Sequence, residues 1–63
     1  MVVETNILRE AISRLAMPER AMIGMFYLEG RSYKEISVSL GIALNSIGPM
    51  LGRARLKLKG LLA

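Results

Sequence analysis

The sequence contains no cysteine and no histidine. Disulfide staples are therefore excluded, and the usual zinc sites have no ligands. Neither a metal nor a cofactor is expected. The missing cysteine fits a reducing compartment, and the expected location is the cytoplasm. No run approaches the roughly 18 apolar residues of a membrane span. The greasiest piece, Ala21 to Leu28, is bracketed by Arg20 and Glu29. The beginning of the chain carries an early Glu4 and no basic start, so no secretory signal is read there. No β-branched run alternates with period two, and there is no internal repeat or low-complexity tract.

Acid is absent from residues 36–63. Up to residue 35, Arg9, Arg14, Arg20, Arg31 and Lys34 balance Glu4, Glu10, Glu19, Glu29 and Glu35. Beyond it stand Arg53, Arg55, Lys57 and Lys59 with no carboxylate, so the net charge of +4 sits there. A one-sided basic field attracts polyanions, nucleic acid first and an anionic membrane surface second. Glu10, Glu19 and Glu35 have no histidine or paired site around them, so the chain is not expected to be an enzyme.

What is present is 63 residues, 52% of them apolar. A chain this short hides only about 60% of its unfolded surface, so its core must rest on well-packed helices or on a partner. The pattern predicts an all-α fold: one small four-helix domain over 1–63, with a C-terminal helix-turn-helix. The helices are expected at about 5–15, 18–29, 32–40 and 45–62.

In the first, Ile7, Leu8, Ala11, Ile12 and Leu15 define one face, and Thr5 or Asn6 is the expected cap. Pro18 suits the first turn of the second helix, where its missing N–H has no partner anyway, and Glu19 suits its positive end. From Ala21 to Leu28 this helix is apolar nearly all round, which predicts burial on most faces. Gly24 inside it costs about 1 kcal/mol relative to alanine. Close approach of a neighbouring helix is the expected gain. Gly30 is the expected left-handed cap.

The segment from Gly30 to Ile47 carries the most information. Ser32-Tyr33-Lys34-Glu35 has the spacing of a capping box. Ile36 and Leu40 face inward one turn apart, with small Ser37 beside them. Gly41 supplies the positive φ of a tight turn, and Ile42 plugs the corner. The last helix carries Ile47, Leu51, Ala54, Leu58 and Leu61 at steps of four, three, four and three. Arg53 and Lys57 flank one side of this stripe, Arg55 and Lys59 the other, and Leu56 points away. Two helices joined this way form a helix-turn-helix, whose second helix enters the DNA major groove. Met22, Met25 and Met50 read as core filler.

These motifs resemble a known family. Leu8, Ala11-Ile12, Leu15, Pro18-Glu19-Arg20, Tyr27 through Ile36, Leu40-Gly41-Ile42, Asn45-Ser46-Ile47, Leu51, Arg53-Ala54-Arg55 and Leu58 look like region 4 of bacterial sigma factors, most of all the extracytoplasmic-function group. The likeness runs from Asn6 to Leu62. It implies that the chain binds double-stranded promoter DNA at the upstream, minus-thirty-five element and docks on the β-subunit flap of RNA polymerase. It also implies an anti-sigma factor as a candidate partner, and no membrane. Promoter melting belongs to region 2, which this sequence does not contain. The chain reads either as a domain of a longer sigma factor or as a free-standing region 4-like protein.

The departures fall in the recognition helix. Ala43 stands where the family usually has a Ser or Thr cap. Gly48 and Met50 stand at places commonly basic, which removes forked donors that read guanine edges. Pro49 removes one helical hydrogen bond and clashes with the carbonyl of Asn45. The helix is therefore expected to begin late, capped by Asn45 or Ser46, or else to bend at Gly48-Pro49.

The expected DNA-binding residues are Tyr33, Lys34, Asn45, Ser46, Arg53, Arg55 and Lys57. Arg53 and Arg55 are read as phosphate clamps, and Lys57 as general positive charge. Tyr33 and Lys34 open the helix that crosses the DNA backbone. Tyr33 has packing against the second helix as its alternative role. Asn45 and Ser46 either touch base edges or only cap. Three other functions compete. One is a protein-interaction module on RNA polymerase or an anti-sigma factor, without specific DNA reading. Another is a response-regulator-type DNA-binding domain, which Arg53-Ala54-Arg55 and Pro18-Glu19-Arg20 fit less well. The last is a membrane-surface anchor, weakened because the apolar stripe is needed for the core.

Overall fold

A computed structural model describes residues 4–62. Among them the chain is all-helical, without strands: α1 Thr5–Ser13, α2 Glu19–Ile23 running into a π-helical segment Gly24–Leu28, α3 Tyr33–Leu40 and α4 Leu44–Leu62. The long C-terminal helix is the axis of the molecule. Its 19 residues span about 28 Å at 1.5 Å each, against a longest dimension of 30 Å. The other helices α1, α2 and α3 all pack against it.

Burial follows α4. Ile47, Leu51 and Ala54 are fully enclosed and Leu58 nearly so, meeting Ile36 of α3, Met22 and Ile23 of α2, and Ala11, Ile12 and Leu15 at the end of α1. Met25 and Met50 pack partly buried against this cluster. The stripe ends differently from the pattern in the sequence. Leu61 is 37% exposed, and Leu62 lies against the core instead. Ile7 is likewise outside, 53% exposed. The second helix is less enclosed than its composition predicts. Met22 and Ile23 are fully buried, while Tyr27 is 45% exposed.

Helix ends explain the shifted boundaries. Glu4, not Thr5 or Asn6, occupies the N-cap of α1, and no side chain caps it. The helix stops at Ser13 because the bonds tighten. The Arg14 and Leu15 amides donate three residues back, to Ala11 and Ile12, at 3.1 and 3.0 Å. Pro18 is the N-cap of α2 after a cis Met17–Pro18 bond.

Gly24 does not serve close approach. A Cβ built there would meet nothing within 4 Å. The glycine instead sits where bonding widens from α to π, and its carbonyl accepts from Glu29 N at 3.3 Å. Gly30 follows with φ +65° and turns the chain into the helix-turn-helix.

Candidate nucleic-acid interface

Local chemistry fixes the start of α3. The Ser32 hydroxyl accepts from the Glu35 amide at 3.1 Å, and the Glu35 carboxylate accepts from the Ser32 amide at 2.9 Å. This reciprocal box satisfies two helix-end donors. The Ser32 backbone bond, helped by the Ser32 side chain and the Arg31 charge, holds the Glu35 carboxyl below its ordinary value. The other end of α3 is closed by Gly41 at φ +66°. Its amide donates to the Ser37 carbonyl, and the Ile42 amide donates to the same carbonyl at 3.1 Å. The Ser37 hydroxyl returns a bond to the Ile42 carbonyl. Ile42, partly buried against the core, fills the corner.

The recognition helix begins at Leu44, with Ala43 in the cap position and its carbonyl accepting from Ser46 N at 2.9 Å. A late start at Asn45 or Ser46 is therefore corrected. Neither side chain makes a capping bond among the described residues, and the helix runs on through Pro49. Magnitudes account for this. Proline in a helix interior costs about 3 kcal/mol relative to alanine. Burying Ile47, Leu51 and Leu58 returns about 1.5–3 kcal/mol apiece, so a helix that turns all three inward tolerates the proline. Gly48 eases the passage. The clash that disfavours helical backbone before proline involves the preceding Cβ, which glycine lacks.

Two stripes run along α4 on opposite faces. Ile47, Leu51, Ala54 and Leu58 point into the core. Asn45, Pro49, Gly52 and Leu56 repeat the same spacing two residues earlier, roughly 200° round the helix, and all four are exposed. Arg53 and Lys59 stand beside this outer stripe, with no ion-pair or hydrogen-bond partner among the described residues. Arg55 and Lys57 lie nearer the body and are held by it. The Arg55 guanidinium lies 5.2 Å from the centre of the Phe26 ring and 5.7 Å from that of Tyr27. Lys57 Nζ lies 2.9 Å from a Glu19 carboxylate oxygen.

The expected site residues thus divide. Lys34, Asn45, Ser46 and Arg53 belong to the α3–α4 unit without a side-chain partner among the described residues. Arg55 and Lys57 are tethered to α2 and its π extension. Tyr33 is 40% exposed and packs along one side of its ring. Its ring centre is 5.9 Å from that of Phe26, and its Cε2 would be 3.6 Å from a Cβ on Gly48. Sequence reasoning missed that all three aromatic side chains, Phe26, Tyr27 and Tyr33, meet at one seam under Arg55. The one available signal was that Arg55 flanks the buried stripe on the side opposite Arg53.

No helix among the described residues is long and apolar enough to cross a membrane. A capped helix, a left-handed glycine and a basic second helix with an open outer face define a helix-turn-helix nucleic-acid-binding domain. The family described as Sigma-70, region 4 matches residues 5–58, and the chain belongs to that family. Its members are DNA-binding, RNA polymerase-interacting modules of sigma factors and are not catalytic. No curated protein and no solved structure gives a significant match to the chain.

Proposed function

We propose that residues 1–63 form one promoter-recognition domain of a sigma factor of the extracytoplasmic-function type. α4 lies in the major groove at the minus-thirty-five element, and another face docks on the β-subunit flap of RNA polymerase in the cytoplasm. The observation that carries this reading is the open outer face of α4. Arg53 and Lys59 edge it without internal partners, and α3 is set against it by Gly41. Lys34 at the start of α3 faces the DNA backbone in this arrangement. Phosphate contacts from these cations supply most of the affinity.

The test is a titration of the chain against promoter-like and random duplexes over a range of salt. The log–log slope should be near −0.9 per neutralised phosphate. Arg53→Ala should weaken binding to every sequence alike and flatten the slope by about 0.9. Affinity that ignores salt would overturn the reading.

A second reading has its own support. The outward positions of the recognition helix are Leu44, Asn45, Pro49 and Gly52, and Leu56 is 72% exposed. A helix so short of hydrogen-bonding groups suits docking on polymerase or an anti-sigma factor without base reading. Capture of RNA polymerase by a chain that binds no duplex at low salt would select it.

A further inference from the structure

Three side chains dominate the outward surface of the first turns of α4: Leu44, 53% exposed, Asn45 and Pro49. They occupy the first, second and sixth positions of the helix. Gly48 adds no group, and Tyr33 covers its flank. Leu44 and Pro49 have neither donor nor acceptor on their side chains. Neither belongs to the buried core, so packing does not account for an apolar surface here. Arg53 stands about one turn further along α4, and Lys34 opens the neighbouring helix α3. An apolar start to the helix followed by a cation matches a duplex entered through the major groove and gripped by its phosphates.

In that groove the apolar group among the base edges is the C5-methyl of thymine. The bidentate partner of an asparagine amide is adenine, through N6 and N7. We propose that, given the DNA-binding reading above, this domain discriminates A·T pairs by methyl contact. Leu44 and Pro49 pack on thymine methyls, and Asn45 is the base-edge amide beside them. Guanine is not read, because no arginine or lysine stands at these positions.

Deoxyuridine tests this cleanly, since it keeps every hydrogen-bonding group of thymidine and lacks only the methyl. The 63-residue chain is titrated by fluorescence anisotropy, at low salt, with mixed-sequence A·T duplexes. The same duplexes carrying deoxyuridine for thymidine, and G·C duplexes of equal length, serve as comparisons. The thymidine duplexes should bind tighter by about fourfold for each methyl engaged, and the G·C duplexes weakest. Leu44→Ala should shrink the thymidine-to-deoxyuridine ratio towards one. Arg53→Ala should lower affinity for both duplexes and leave that ratio intact. Salt-steep binding that is equal for thymidine and deoxyuridine would overturn the methyl contact and leave the DNA-binding reading standing. No binding to any duplex would overturn both.

Discussion

The Arg55 guanidinium lies over the Phe26 ring, 5.2 Å from its centre, whereas Arg53, two residues earlier on α4, has no such partner among the described residues. The two arginines of one motif therefore do different work. A cation over an aromatic face at an exposed site contributes about 0.5–1 kcal/mol. Arg55→Ala should lower stability by about that amount in urea denaturation. Arg53→Ala should leave stability within about 0.5 kcal/mol and act on DNA affinity alone. Equal stability effects would mean that the ring contact is not a structural one.

Two of the glycines inside helices, Gly24 and Gly48, should respond differently to alanine. At Gly24 a Cβ finds open space and the backbone is ordinary helix, φ −60° and ψ −46°. Gly24→Ala should stabilise by up to about 1 kcal/mol through helix propensity, a rise in melting temperature of roughly 4–8 °C for a domain this small. At Gly48 a Cβ meets Tyr33 at an ordinary 3.6 Å but also crowds the ring of Pro49. Gly48→Ala should therefore gain less than Gly24→Ala in the same thermal melts.

Pro49 deprives the Asn45 carbonyl of its helical donor. Pro49→Ala restores that bond and should stabilise the domain by up to about 3 kcal/mol. The signature beyond stability is hydrogen exchange. The backbone amide that this substitution introduces should be protected, and protection of the amides around it should rise. A melting temperature that falls would show that proline's restriction of the unfolded chain outweighs the missing bond.

The capping box should make the start of α3 sensitive to acid. The folded-state Glu35 carboxyl is held below its ordinary value of 4.5, chiefly by the Ser32 amide. The ionised form thus stabilises the fold above the ordinary value, and this contribution is lost as pH falls through the depressed one. Chemical shifts of the Ser32 and Glu35 amides should titrate together below pH 4.5. Ser32→Ala should cost about 1 kcal/mol at neutral pH, and Glu35→Gln should flatten the acid limb.

Much of the site is legible in the sequence because it depends on near neighbours. The capping box, the left-handed Gly30 and Gly41, and the stripe from Ile47 to Leu58 are short-range patterns with one sterically sensible outcome each. Differences arise where a local preference meets a distant contact. Asn45 and Ser46 are better caps than Ala43, yet α4 starts before them, at Leu44, and runs on through Pro49. Gly24 reads as a close-packing residue, but it marks a change of helical bonding that no periodicity reveals. Ile7 and Leu61 fit their stripes, yet both remain exposed at the ends of α1 and α4.

Sequence alone determined that this chain is helical, that its positive charge gathers after Gly41, and that the first turns of the recognition helix lack forked donors. Composition, spacing and side-chain chemistry settle those without reference to any other part of the molecule. Only the tertiary structure decided which cations are tied down. Arg55 and Lys57 look like Arg53 and Lys59 in the chain, but α2 and its π extension bring Phe26, Tyr27 and Glu19 beside the first pair. The reason is geometric. A helix turns each of its residues to a fixed angle, and what waits there is set by helices remote in sequence.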